Sequence, residues 1–289
     1  MEEFNRILGD IKMEQNKIKK QPLPFAKFSD SIKASDLKAI SFDCYGTLID
    51  IKTEMTPPDH PVWRVLSLYA FYHTGVRTSP EEFCDKFFKY KDLEKQAGLA
   101  RAKGEPFEIE ELNVYKRLMP MVSEQVVKTA AEIFRASTTD PKTFKLFRGA
   151  KEFMCAAKKA GLRLFMTSNA QTGYTVPEFK ALGIYDLFDG HMEDGISNAV
   201  FFRKPSPLFF QAMLRNLGVQ PYEVCNIGNY ALDDIHPAKA LGIHTCLMNS
   251  ERQECNTTDD CDFFFDYPDA DDLPDEYYPF FRLKEYLFG

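Results

Sequence analysis

Residues 41–50 read SFDCYGTLID, and the fold is decided there. An apolar run, Ala39-Ile40-Ser41-Phe42, leads into Asp43 and then meets Gly46-Thr47. Strand-forming residues that stop where glycine admits unusual backbone angles predict a short buried parallel strand ending in a tight turn. In an open α/β sheet, ligands sit at the carboxyl ends of the strands. Asp43 is therefore expected at a crevice, with backbone N–H groups and the Thr47 hydroxyl beside it. A carboxylate so placed can act as a covalent nucleophile. Taken alone, D-x-x-G-T also suits an Asp that merely caps a turn. The rest of the chain weighs against that plainer reading.

Downstream, Thr56-Pro57-Pro58 and Pro61 form a stiff hinge. Apolar residues then recur at helical intervals over Val62–His73, Pro80–Lys95, Glu108–Met119 and Ser123–Arg135, with no convincing core strand before about Phe147. Ser79-Pro80-Glu81-Glu82 is a helix start, with proline in the first turn and acids facing the dipole. Gly98 and Gly104 are expected to mark the loop between the second and third helices. Trp63, Tyr69 and Tyr72 read as the packing stripe of this helical unit. Strand–helix alternation resumes with helix Ala150–Ala160 and strand Leu162–Met166, which runs into Thr167-Ser168-Asn169. Helix Val176–Leu182, Lys204-Pro205, helix Pro207–Leu217 and strand Glu223–Ile227 follow, the last opening at Gly228-Asn229. Helix Asp234–Leu241, strand Ile243–Met248, an edge strand Asp262–Phe265 and a closing helix Asp275–Leu287 complete the pattern.

Such alternation predicts an α/β doubly wound, mostly parallel sheet of Rossmann type. The expected organisation is an α/β core over residues 37–52 and 148–289, with a helical cap over 53–147. Ahead of it, residues 1–36 read as an amphipathic helix (Phe4, Ile7, Leu8, Ile11, Ile18) and a proline-containing connector.

Composition bounds the function. The 289 residues are 44% hydrophobic and 27% charged, enough for a sizeable core. No apolar run approaches the roughly 20 residues that span a bilayer. Residues 1–20 lack the apolar stretch of a secretory signal, so a cytoplasmic chain is expected. Seven scattered cysteines without C-x-x-C spacing read as free thiols, Cys44 packed in the core among them. A net charge of -7 argues against nucleic acid, and no membrane partner is expected. The expected partner is a small anionic substrate, and the N-terminal helix is expected to pack either on the body of the chain or on a second copy in a homodimer. The five histidines are dispersed and show no ligand spacing.

Four strand ends then carry chemically useful groups: Asp43 with Thr47, Ser168 with Asn169, Lys204, and the 228–234 segment. A nucleophilic carboxylate needs nearby cations and donors, which Lys204 and the Thr47, Ser168 and Asn169 side chains can supply. Asp234 can hold Lys204, position a water or bind a cation.

Order and spacing resemble the haloacid dehalogenase superfamily over roughly residues 39–273. Asp43-Cys44-Tyr45-Gly46-Thr47 looks like its first motif, and Leu164–Asn169 resembles the second. Lys204-Pro205-Ser206-Pro207 resembles the third, and Gly228-Asn229-Tyr230-Ala231-Leu232-Asp233-Asp234 the fourth. The resemblance implies a hydrolase with Asp43 as nucleophile. Tyr45 stands where the superfamily's phosphatases carry a second Asp, and Asn229 where they hold Mg²⁺ with an acid. Tyrosine, with a pKa near 10, is a poor base at neutral pH. Asp-x-Tyr-Gly-Thr is typical of the metal-independent 2-haloacid dehalogenases. The leading expectation is therefore dehalogenase-like cleavage of a small carboxylate substrate without cofactor. Asp43, Thr47, Ser168, Asn169, Lys204 and Asp234 would be catalytic, and Tyr45, Lys89, Asn229 and Tyr230 would bind substrate. Lys89 falls where that family carries a cap arginine, whereas Phe210 replaces a common tyrosine. The alternatives are a Mg²⁺-dependent phosphatase of a small metabolite, its metal on Asp43, Tyr45 and Asp234, and a non-catalytic binding protein.

Overall fold

The computed structural model describes residues 22–189, 202–270 and 273–289. The expected N-terminal helix therefore lies outside the described residues. Among the described residues, eight short strands build the sheets: β1 (Ala26–Lys27), β2 (Ala39–Phe42), β3 (Ile49–Asp50), β4 (Lys145–Leu146), β5 (Arg163–Met166), β6 (Val224–Gly228), β7 (His244–Asn249) and β8 (Phe263–Asp266). The main sheet runs β1-β8-β7-β6-β2-β5, parallel throughout except for the antiparallel β1–β8 pair. Strand β2 lies between β6 and the edge strand β5, and all four of its residues are buried, as a strand covered on both faces must be. Its register places Phe42 beside Met166 on one side and Ile227 on the other. The segments that follow β2, β5 and β6 therefore leave the sheet side by side.

Two departures from the sequence reading concern this sheet. Strand β8 is not the edge: Ala26 and Lys27, read as connector, pair with Phe265 and Phe264 beyond it. A two-residue strand carries too short a pattern to be visible in sequence. Strands β3 and β4 form a separate antiparallel ribbon, joining the two chain crossings between core and helices.

Between β3 and β4 lie α1 (Pro61–Thr74), α2 (Pro80–Ala102), α3 (Glu111–Leu118) and α4 (Glu124–Thr138). Ser79 caps α2 by accepting the Glu82 N–H at 3.1 Å, and Ser123 caps α4. These helices share their own core, centred on Trp63, whose ring lies 5.2 Å from Phe87 and 5.7 Å from Phe134. Gly98 is not in a loop but inside α2, where a Cβ would lie 2.0 Å from the Phe107 ring. Glycine persists mid-helix there because only hydrogen fits. The remaining helices are α5 (Ala150–Lys159), α6 (Thr172–Ala181), α7 (Pro207–Leu217), α8 (His236–Lys239) and α9 (Pro279–Phe288). The expected helix Asp234–Leu241 is instead a π-turn, Ala231–Ile235, running into the short α8.

Candidate active site

Asp43 leaves β2 with its N–H donating to the Ile227 carbonyl at 2.8 Å, so the β2–β6 ladder holds its backbone. Lys204 spans the site. Its ammonium donates to Asp43 Oδ1 at 2.7 Å and to Asp234 Oδ1 at 2.5 Å. Lys204 and Asp234 are almost wholly buried, whereas Asp43 retains 8% exposure, enough for contact with a small ligand. Burial alone would depress the Lys204 ammonium, but the Asp234 and Asp43 carboxylates outweigh it and hold the group well above its ordinary value. Burial pushes Asp234 up, Lys204 draws it down and Asp43 pushes it up again, to about 7.

Asp234 is gripped from three directions. Its Oδ2 accepts the N–H groups of Asn229 at 3.2 Å and Tyr230 at 3.0 Å, while Lys204 takes Oδ1. Behind it, the Asn226 amide donates to the Asp234 carbonyl at 2.9 Å. Asn226 Oδ1 in turn accepts the Ser41 and Thr167 hydroxyls at 2.7 and 2.8 Å. A buried polar tie thus crosses three strand ends under the carboxylates.

The Asn169 amide is spent on the backbone of Lys204: Oδ1 accepts its N–H at 2.8 Å and Nδ2 donates to its carbonyl at 3.2 Å. Ser168 is buried, its oxygen accepting the Ala170 N–H at 3.1 Å. Thr47 Oγ1 donates to Asn229 Oδ1 at 3.3 Å. Gly46, at φ +80, lets that amide sit so close that a Cβ would lie 2.2 Å from Asn229 Nδ2. Tyr45 turns its hydroxyl to Glu178 Oε2 at 2.7 Å, and Arg135 lies 4.7 Å over its ring while donating to Glu178 Oε1 at 2.6 Å. Burial, Cys44 and Glu178 raise the Tyr45 phenol well above its ordinary value, despite Arg135.

Two expected positions move. Lys89 is exposed and makes no ion pair among the described residues; it lies two residues, roughly 200° round α2, from buried Phe87. Among the described residues it makes no hydrogen bond or ion pair with a site residue. Asp234, named as a metal ligand for the phosphatase alternative, already has both oxygens engaged by Lys204 and two backbone N–H groups. Its geometry suits a clamp on Lys204 instead. Tyr230 faces Cys255 and Asp233, which raise its phenol. Cys44 is fully buried, as expected, and burial keeps its thiol protonated.

Arg135, Glu178 and Asn226 were not singled out in the sequence. Asn226 leaves a trace there, a polar residue within the apolar run of β6. Nothing in the local pattern announces that Arg135 and Glu178, 43 positions apart, will meet over Tyr45.

The order of these groups along the chain matches a known profile. Residues 37–242 match that of the haloacid dehalogenase-like hydrolases. The chain belongs to this family. Among its relatives, a phosphoglycolate phosphatase of Nitrosospira multiformis is 23% identical over 210 residues, covering 72% of this chain and 81% of the relative. A haloacid dehalogenase-like phosphatase from Thermococcus onnurineus aligns with a TM-score of 0.45 at 16% identity, over 79% of this chain and 93% of the other. The L-2-haloacid dehalogenase of Xanthobacter autotrophicus aligns at 0.39 and 18%, over 73% and 77%. As a member of the family, the chain is a hydrolase, and none of its helices among the described residues is long and apolar enough to cross a membrane.

Proposed function

We propose that this chain hydrolyses a small anionic phosphate monoester, with Asp43 as the nucleophile. The observation that carries the reading is the Lys204 ammonium held between Asp43 and Asp234 at the carboxyl edge of the sheet. A fixed cation against the attacking carboxylate both orients it and offsets charge arriving on the transferred group. Likeness to a phosphoglycolate phosphatase supports this reading over the metal-independent one.

Mg²⁺ takes hard oxygen ligands, usually one or two carboxylates with waters and substrate oxygens completing the shell. The Asp43 carboxylate, the Tyr45 carbonyl and the Asn229 amide oxygen fit that demand in kind, with one formal charge fewer than an acid at position 229 would give. Bound there, Mg²⁺ would neutralise charge on the phosphoryl oxygens. Asp43 then attacks phosphorus, forming an aspartyl phosphate and releasing the alcohol. Water attacks the same phosphorus, freeing phosphate and returning Asp43. Lys204 remains charged throughout, and Asn169 keeps its backbone in place. Ser168 offers its hydroxyl to the oxygens around phosphorus, while Thr47 orients the Asn229 amide. Tyr45 stays protonated and committed to Glu178, so the leaving oxygen takes its proton from solvent. Good leaving groups are therefore favoured.

Tyr45 and Asn229, neither an acid, favour a second reading: dehalogenation of a 2-haloacid by the same Asp43 without metal. Purified protein is assayed against aryl and alkyl phosphates and against 2-haloacids, each with Mg²⁺ and with EDTA, beside Asp43→Asn. The proposal expects phosphate release that needs Mg²⁺ and disappears in the variant. Halide release surviving EDTA would replace it with the second reading, and silence on every panel would point to a binding role.

A further inference from the structure

The strongest unexplained cluster lies outside the four motifs, on the loop between β7 and β8. Asn256, half-buried there, ties the turn that follows β6 to the end of β7 through its side-chain amide. Its Nδ2 donates to the Asn229 carbonyl at 2.8 Å and to Asn249 Oδ1 at 2.9 Å, and its Oδ1 accepts the Ala231 N–H at 2.9 Å. Asn249 is itself fixed, donating to Asp266 Oδ1 at 2.7 Å across β7 and β8. The loop is held further by Lys27, which donates to the Thr258 and Cys261 carbonyls at 2.7 and 2.8 Å.

The consequence follows from what the turn does. The two N–H groups between the points that Asn256 pins, or beside them, belong to Asn229 and Tyr230, and both are aimed at Asp234 Oδ2. With a carbonyl held at Asn229 and an N–H held at Ala231, the peptides between them cannot rotate without breaking bonds to a strand-anchored amide. We propose that Asn256 is a positioning residue: it fixes the 229–231 turn so that its N–H groups hold Asp234, which in turn holds Lys204 against Asp43. It touches neither substrate nor Asp43. Its catalytic consequence rests on the phosphatase reading, whereas its grip on the turn does not.

Asparagine suits this task because one planar amide supplies two donors and an acceptor in fixed relation. Aspartate at the same place would keep the acceptor for Ala231 but lose both donors and set a carboxylate against the Asn229 carbonyl. Alanine would lose all three bonds. A misplacement near 1 Å transmitted to a reacting group can cost roughly a hundredfold in rate.

The test uses full-length protein with Asn256→Ala, Asn256→Asp and, as a control on the same loop, Gln253→Ala. Amide hydrogen exchange at Asn229 and Tyr230 is read alongside kcat and KM for an aryl phosphate with Mg²⁺. Both Asn256 variants are expected to lose protection at these two amides by about tenfold or more, with β7 and β8 protected as before. A fall in kcat of roughly ten- to a hundredfold should accompany it, with KM within about twofold, and the control should match wild type in both readouts. Unchanged protection at Asn229 and Tyr230 overturns the proposal. Lost protection with kcat intact overturns its catalytic half. If wild type hydrolyses no phosphate ester, the functional reading fails and the exchange data alone decide whether Asn256 holds the turn. Should Asn256→Ala lose protection throughout the sheet, Asn256→Asp decides.

Discussion

The Tyr45 hydroxyl donates to Glu178 at 2.7 Å, and through Glu178 the site meets Arg135 on α4. A residue two positions after the nucleophile is thus tied to the helical unit and not aimed at a leaving group. A carboxylate there would be free to move protons; this phenol, raised by burial, is not.

Restoring that carboxylate should therefore change which substrates turn over. Tyr45→Asp is expected to raise kcat for alkyl phosphates by about a hundredfold, since general acid–base catalysis contributes roughly 10²–10⁴. Aryl phosphates, whose leaving groups need little protonation, should gain far less. Steady-state kinetics on a matched aryl and alkyl pair decide it. Equal gains on both, or none, would show that Tyr45 is not what limits proton transfer.

Removing the bridging cation leaves two buried carboxylates face to face. Lys204→Met is expected to lower stability by about 3–5 kcal/mol, the cost of breaking a buried ion pair from one side. Chemical denaturation gives the figure. The double variant Lys204→Met/Asp234→Leu should recover part of the stability without recovering activity, because the cation beside Asp43 is still missing.

Gly98 offers a test of sign. In an exposed helix interior, Gly→Ala gains about 1 kcal/mol. Here the added methyl meets the Phe107 ring at 2.0 Å, so Gly98→Ala should instead destabilise by about 1–3 kcal/mol. A thermal melt that moves upward would mean that the ring yields without cost.

Thiol labelling follows burial. Cys155 is exposed and Cys255 half-exposed, whereas Cys44, Cys84, Cys225, Cys246 and Cys261 are buried. Burial raises the Cys44 and Cys246 thiols well above their ordinary value and Cys261 to about 11, so raising pH from about 7 to 9 creates little thiolate at these positions. Iodoacetamide on the native protein should modify Cys155 first and Cys255 more slowly, at both pH values. Fast labelling at Cys44 would mean that the strand end carrying Asp43 opens readily.

Much of this architecture is legible in the chain because it is local. Alternating apolar runs and glycine stops predict β2, β5, β6 and β7, and Pro207–Leu217 is helical over the range read from the sequence. Asp43, Thr47, Ser168, Asn169, Lys204 and Asp234 do gather at one edge, since the ends of parallel strands must. What the pattern does not carry is the spending of hydrogen bonds. Asn169 reads as a catalytic hydrogen-bond donor but is consumed by the Lys204 backbone. Lys89 reads as a cap cation, yet the turn of α2 faces it to water, and Arg135 is the guanidinium over Tyr45. Strand β1 and Asn256 depend on partners more than 20 positions away, and two residues or one amide leave no periodicity to find.

The segment between α2 and α3 is fastened to the core by both neighbouring loops. Gln171 accepts the Glu111 N–H at 3.1 Å and donates to the Ile109 carbonyl at 2.9 Å, while Ser206 donates to Glu105 and the Arg203 N–H to the Pro106 carbonyl. Transplanting the helices alone onto another family member would sever these seams. A working chimera has to carry residues 105–111 together with Gln171, Arg203 and Ser206, so the breakpoints fall inside the core loops and not at the proline hinge.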